Sequence, residues 1–457
     1  MKFICYDKAL ASIQTREGTL TLSKLFLPLF IEMMLLNTMG TINTLMLSHY
    51  SDDAVAAVGA ATQLLGMILT FYTVISTGAS IIINHNLGAG NSKSASDAAF
   101  ASILSCGALS IVIGTIFSLA AEPVLRLIHL EPHVFSYAVS YFRIAMQFSV
   151  FQAVTSSISG IFRSYGKPNV SVTVSVCMNA MMAFLDYLII FRPFEIPLRG
   201  VTGIAIAYVC SELFGLILIV FFLWRIPLGL NLREKNLRTL RVGIQILKVG
   251  IPGGVSSISY NISQVVSTSI IAILGTAALS TKIYVSNIVF YVYVFGMTLG
   301  LSTSLLIGWL TGAGKYDQAY KLNLQNLRLA IGANIMFSVI LFLFAEPILR
   351  LFTTDATILA MGRTLLFIDI FLEIGRGFNH IEENSLRGAG DVLYPMVVSM
   401  ISCWSMSILF SYLLGIRLGL GLAGCWIAFG MDEFFRGLAY FHRWRSRKWT
   451  TKTAAGR

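Results

Sequence analysis

Charge is scarce in this sequence: 12% of its 457 residues are charged, 56% are hydrophobic, and the mean hydropathy is +0.76. A soluble chain carries about twice that charged fraction, so a water-soluble globular fold is excluded. Cysteine is sparse as well. The six (Cys5, Cys106, Cys177, Cys210, Cys403 and Cys425) are scattered, and no two have metal-ligand or redox spacing. That argues against a disulfide framework and against a metal site. The first twenty residues hold Lys2, Lys8 and Arg16 but no apolar run, which speaks against a cleavable signal and reads as a short cytoplasmic lead. No nucleophile–base pair or metal-ligand constellation of the kind a membrane enzyme needs is found.

What is present is apolar sequence in blocks of about twenty residues, enough to cross a hydrocarbon core of roughly 30 Å. Backbone groups in lipid must be satisfied internally, so such blocks are helices; the ten-residue alternation of a barrel is absent. The expected fold is an all-α polytopic membrane protein with twelve spans. They fall at about 24–47, 54–82, 97–120, 134–160, 169–191, 201–224, 246–274, 280–310, 326–345, 356–384, 392–416 and 420–441.

The net charge of +11 is explained by topology. With the amino terminus inside, 23 of the 33 Lys and Arg residues fall on the cytoplasmic side, 6 (Lys282 among them) on the outside, and 4 within spans. This follows the positive-inside rule, puts both termini in the cytoplasm of a cell-membrane protein, and makes nucleic acid an unneeded partner.

The chain also repeats. Residues 88–128 align without a gap to 312–352 at an offset of 224, and Pro28 meets Pro252, Arg163 meets Arg387 and Gly166 meets Gly390. Farther on, at an offset of 221, Glu212 meets Glu433. The expected domains are therefore 1–224 with spans one to six, a basic cytoplasmic linker over 225–248, and 249–457 with spans seven to twelve and a basic tail. An even number of spans per unit relates the two bundles by a pseudo-twofold axis along the membrane normal. Transporters use such duplication to rock two bundles about a shared site. No G-x-x-x-x-G-K-[ST] occurs, so uphill transport would draw on an ion gradient or on a partner protein. The one G-x-G-x-x-G, Gly419 to Gly424, lies between two spans, follows no strand and is a turn.

Several motifs in order then carry a resemblance. They are Met46-Leu47-Ser48 through Ala54–Gly59, Gly88-Ala89-Gly90, Phe162–Gly166, and Asn179 with Leu185-Asp186-Tyr187. Glu373–Arg376, Asn384–Arg387, and the tail from Asp432-Glu433 to Ser446 complete the set. Over essentially its whole length the chain resembles multidrug and toxic compound extrusion (MATE) transporters, and a bacterial subgroup credited with exporting drugs or flavin nucleotides. The resemblance implies a V-shaped pair of six-helix bundles and antiport of a cation, H⁺ or Na⁺, against a drug-like, cationic or aromatic substrate, with no organic cofactor and a monomer as the working unit. The nearest rival is a flippase of a lipid-linked substrate from the same superfamily.

Ionisable groups at membrane depth cost about 2.5–3.5 kcal/mol each on insertion scales, so each is a functional candidate by default. Asp186 lies midway through an apolar span, and Asn179, seven residues earlier, shares its helical face. The resemblance places both in a proton-coupling site; the alternative is a carboxylate bonded between helices for packing. Asn43 stands where the family usually has an aspartate, and Glu32, three turns earlier on the same face, is a candidate second acid or a group facing water at the helix end. Asp369, Glu373, Arg376, His380, Glu383 and Arg387 recur at steps of four and three and so line one face of the tenth span. That face is either a cavity wall or a ladder neutralised internally by Glu373–Arg376 and Glu383–Arg387. Glu373, Arg376, His380, Tyr260, Asn37 and Met182 are the expected substrate contacts. Tyr260 and Arg376 fall where sodium-coupled members carry acids, which favours H⁺ over Na⁺. Glu212 and Glu433, matched between the halves, read as scaffold, as does Arg436, one turn from Asp432.

Overall fold

The computed structural model describes residues 10, 12–15, 18–126, 128, 130–191, 200–230 and 237–452. The amino-terminal lead contains a small antiparallel hairpin, β1 (Ser12–Thr15) with β2 (Gly18–Thr21), in which Ser12 faces Thr21. The first half continues as α1 (Leu22–Ser48), α2 (Asp52–Gly88), α3 (Ser92–Leu119), the short α4 (Ala121–Arg126), α5 (Pro132–Gln147), α6 (Val150–Ser164), α7 (Pro168–Phe191) and α8 (Gly200–Arg225). The second half holds α9 (Leu237–Ile273), α10 (Thr276–Gly312), α11 (Tyr316–Leu343), the short α12 (Ala345–Leu349) and α13 (Ala356–Gly388). Next, α14 (Leu393–Ser402) runs on through wider π-helical turns over Cys403–Leu409 and Ser411–Arg417, and α15 (Gly421–Arg445) follows. Taking α5 with α6 and α14 with its extension as single segments, twelve long helical segments follow the twelve expected blocks.

Among the described residues, eight helices are long and apolar enough to cross a membrane, and α5 with α6, bent by 50°, makes a ninth if taken as one span. The other three long helices, α9, α13 and α15, are more polar. Polar side chains there serve the interior of a helical unit, which is where charge can be held at membrane depth.

The chain forms two compact units. One contains residues 27–83 and 91–254; the other contains 1–26, 84–90 and 255–457. The end of α2 and the hairpin thus belong with the carboxyl-terminal helices. Of the basic stretch over 225–248, residues 231–236 lie outside the described residues, and from Leu237 the chain is already helical.

The first unit is built on a cluster in which Ala54, Ala57, Ala61 and Leu65 of α2 pack with Phe142, Ala145 and Met146 of α5 and Ile204 and Ala205 of α8. Small residues let helices approach closely where lipid supplies no hydrophobic drive. The second unit has its own cluster, in which Val285, Ile288 and Val289 of α10 join Leu365, Leu366 and Leu372 of α13 and Trp426 of α15. Within that unit the last turn of α2 meets the last turn of α10 without room for side chains. A Cβ on Gly88 would strike the carbonyl oxygen of Trp309, and one on Gly312 would strike that of His85. Both helices then close on a left-handed glycine, Gly90 at φ 75° and Gly314 at φ 71°.

Outside the membrane-spanning segments, Asp355 caps α13 by accepting from the backbone N–H groups of Thr357 (2.7 Å) and Ile358 (3.2 Å). The bonds from Ile358 and Thr357 hold its carboxyl below the usual aspartate value. A depressed pKa stabilises the fold above the unfolded-state value and ceases to do so as pH falls through the folded one. Asp355→Ala is therefore expected to lower Tm at neutral pH, and the deficit relative to wild type should vanish once acidification has protonated Asp355; thermal unfolding against pH checks this.

Candidate functional site

In the first unit Asp186 is wholly buried, with 0% exposure, and among the described residues neither carboxyl oxygen has a hydrogen-bond partner. It lies on α7 between Leu185 and Ile189, both of which pack into the apolar cluster, and close enough to Tyr141 to act on it electrostatically. Met182, one turn earlier on the same face, receives the Nδ2 hydrogen of Asn43 at its sulfur (3.5 Å), and the Oδ1 of Asn43 has no partner. So α1 meets the Asp186 face of α7 through an amide and a thioether. Farther along that face Asn179 donates to the Ser175 carbonyl (2.7 Å), and the Ser175 hydroxyl donates to Glu32 (3.2 Å). Glu32 is not an isolated acid: the Arg163 guanidinium stands 3.7 Å from its other oxygen. Glu32, Ser175 and Asn179 thus form one chain, and Asn43 and Met182 a second contact nearer to Asp186. Asn37 is half-buried on α1 between Glu32 and Asn43. Glu212, on α8, is buried with one oxygen unpartnered.

The second unit contains a cavity of about 600 Å³. Tyr260, Arg376 and His380 all line it, joined by Asp432, Glu433 and Arg436 of α15, Lys282 and Tyr293 of α10, and Trp426. The Arg376 guanidinium lies 4.7 Å above the Tyr293 ring, on which His380 stacks at 6.1 Å, and Arg436 sits 5.8 Å from the Tyr260 ring. Guanidinium over an aromatic face is a favourable, partly desolvated contact. Arg436 bonds Asp432 (2.6 Å) and Glu433 (3.0 Å), while Asn379 donates to Glu433 (2.5 Å) and Ser402 to Asp432 (2.6 Å).

Glu373 departs from the expected cavity set. It is fully buried behind the wall, where it pairs with Arg376 and accepts from the Asn334 amide (2.9 Å). A carboxylate at that depth needs both partners, which keeps it off the lumen. Glu383 and Arg387 pair at 2.5 Å, and both reach the cavity. The expected contacts Asn37 and Met182 belong to the other unit.

Comparison with known proteins settles the family. The MatE family model matches residues 28–188 and again 252–413, one match per half at the offset of the internal repeat. The chain belongs to the MatE family. MatE proteins are membrane transporters, not enzymes, and this chain is an all-α polytopic member. It is 37% identical to the uncharacterized transporter YisQ of Bacillus subtilis, over 98% of this chain and 99% of the relative. It is 25% identical to a probable multidrug resistance protein NorM of Thermotoga maritima, over 100% of this chain and 98% of that one. In fold it is similar to a multidrug resistance MATE family transporter of the MOP superfamily solved in an outward-facing conformation, with a TM-score of 0.85 over 93% of this chain and 95% of that one at 20% identity.

Within this MatE chain the cavity uses residues that sequence reasoning had set aside. Asp432, Glu433 and Arg436 passed for scaffold because Glu433 has a matched partner in Glu212, yet they form one wall. Lys282 was counted to an external loop but lies in the second turn of α10 and donates to Thr268. Glu382 went unnoticed because it falls off the charged face of α13; a carboxyl with no basic residue at helical spacing was the available signal.

Proposed function

We propose that the protein is a secondary-active exporter that exchanges a small amphipathic or aromatic compound for a proton. The observation that carries this reading is Asp186: a wholly buried carboxyl, free of ion pairs among the described residues, on a membrane helix whose same face holds Asn179 and Met182. A group in that position can carry a proton in one state of a transport cycle and release it in another. Hydrogen ion is favoured over Na⁺ because the contact across the helix pair one turn from Asp186, Asn43 to Met182, presents a thioether, a soft and poor ligand for a hard cation. Glu32, held by Arg163 and Ser175, serves to fix α1 against α6 and α7.

Substrate is assigned to the cavity of the second unit, with Arg376, His380 and Tyr260 as contacts and Glu373 holding Arg376 in place. Its tyrosine and tryptophan rings suit planar compounds, flavins included, and its wall carries both signs of charge. A lipid-linked substrate would call for a predominantly basic wall, so the flippase reading is less well supported. The name of the Thermotoga relative agrees with export of varied compounds. The working unit is taken as a monomer in the cell membrane with both termini in the cytoplasm.

Uptake of fluorescent cations and of flavins into inverted membrane vesicles tests the proposal. An interior-acid pH gradient is expected to drive accumulation, and an imposed Na⁺ gradient at constant pH is not. Accumulation that follows the Na⁺ gradient alone would overturn the proton assignment.

A further inference from the structure

We propose that Lys282 is an anion-binding residue of the cavity in the second unit, and that the transported compound carries a carboxylate or phosphate that this ammonium receives. The inference rests on that cavity being the substrate site. Lys282, Ser286, Val289, Tyr293 and Met297 recur along α10 at steps of four, three, four and four, and all line the cavity, so one face of the helix forms part of its wall. Lys282 stands in the second turn, and Tyr293 lies about 16 Å farther along the axis. Elsewhere in the wall the charges are already matched. Arg376 is held by Glu373, Arg387 by Glu383, and Arg436 by Asp432 and Glu433. Lys282 is the exception: among the described residues no carboxylate makes an ion pair with it. Its ammonium donates to the Thr268 hydroxyl of α9. The Thr268 hydrogen goes to the Gln264 carbonyl (2.7 Å), so the Thr268 oxygen accepts and fixes the direction of the lysine side chain. An ammonium has three hydrogens. Thr268 takes one, and among the described residues no other group takes the remaining two.

A charge at membrane depth without a counter-ion is costly, and it is retained where a substrate or ion path needs it. A lysine near a helix end can instead run out to the water interface. Lys282 does not serve in that way: it is half-buried, tied to a neighbouring helix, and lines the cavity. Nor is it scaffold. At the repeat offset of 224 its counterpart is Val58, a member of the apolar cluster of the first unit, whereas Arg387 has an arginine, Arg163, at its matching place. Two free N–H donors on an ammonium recognise an oxyanion, to which they form charge-assisted bonds. The body of such a ligand is met by rings. Cys425 is close enough to Lys282 to act on it electrostatically, which puts the next residue, Trp426, at the same end of the cavity, with Phe429 edge-on to it at 5.6 Å. The site therefore takes a planar compound with an anionic group, and a purely cationic compound leaves Lys282 unmatched.

Equilibrium dialysis of the purified full chain in detergent tests this with two matched pairs, riboflavin against riboflavin 5′-phosphate and indole-3-acetamide against indole-3-acetate. Within a pair the ring is the same and the anion differs. Wild type should bind the anionic member about ten- to hundredfold more tightly, the scale of a hydrogen bond to a charged group. An advantage seen in one pair alone supports the site and identifies its anion as phosphate or carboxylate. Lys282→Met should lose the advantage and keep the affinity for the neutral member, and Lys282→Arg should retain most of it. Should Lys282→Met fail to accumulate, Lys282→Gln carries the same expectation. An advantage that survives in either neutral variant places the anion elsewhere and overturns the assignment. Equal binding of both members by wild type also overturns it, while leaving the cavity as the seat of planar compounds. Binding of neither member of either pair removes the cavity assignment, and this inference with it.

Discussion

Asp186→Asn is expected to abolish uptake driven by an interior-acid gradient in inverted vesicles, by about 100-fold or more, the scale on which loss of an essential proton-transfer group acts. The substitution keeps side-chain shape and removes only the capacity to ionise. Since the carboxyl has neither a hydrogen bond nor an ion pair to lose among the described residues, the fold should not suffer. An unpaired buried charge is a cost in the native state, so the Asn variant should match or exceed wild type in membrane yield and Tm. Retained gradient-driven uptake in Asp186→Asn, at normal expression, would end the proposal that this residue carries the proton. Loss of uptake together with loss of the protein from the membrane would instead mark Asp186 as a packing residue. Membrane yield and uptake measured on the same vesicles separate the two.

The second large effect concerns the crossing of α2 with α10. Gly312→Ala places a methyl group against the backbone carbonyl of His85, and Gly88→Ala does the same to Trp309. Main-chain atoms inside two long helices cannot step aside as a flexible side chain can. Overpacking of this kind costs about 1–3 kcal/mol or more, enough to lower Tm visibly or prevent accumulation. Gly332→Ala on α11 is the matched control. Nothing lies within 4 Å of its would-be Cβ, and the equivalent position in the first half already holds Ala108. Alanine is favoured over glycine in a helix by about 0.8–1.0 kcal/mol, so this variant should be neutral or more stable. Opposite signs for one chemical change are expected from thermal unfolding in detergent; equal effects at Gly312 and Gly332 would refute the crossing.

Much of the fold was legible because membrane helices advertise themselves by length. The block expected at 169–191 is α7 (Pro168–Phe191), and that at 201–224 is α8 (Gly200–Arg225). What escaped was conformation inside a block. The 50° bend between Gln147 and Val150 contains no proline or glycine, and the π-helical turns over Cys403–Leu409 and Ser411–Arg417 arise in a block apolar enough to read as an ordinary span. The amino-terminal hairpin was hidden in residues too few and too mixed to show a period. Asp186 stood out as one charge in an apolar run. The cavity did not, because its walls come from α9, α10, α13, α14 with its extension, and α15 at once, and no single helix period reveals which faces converge. Of the six polar residues of α13 expected on one face, Arg376, His380, Glu383 and Arg387 reach the cavity while Asp369 and Glu373 are buried outside its lining; that selection also passed over Glu382, one residue from Glu383 and about 100° around the helix.

The contact between α2 and α10 is reciprocal in a stronger sense than packing requires. Gly88 rests on the carbonyl of residue 309 and Gly312 on that of residue 85, and each pair of numbers differs by the repeat offset of 224. Such exchange, where i meets j and j′ meets i′, is the signature of an isologous interface about a twofold axis. The joint at the ends of α2 and α10 is therefore written twice in the chain, once in each repeat.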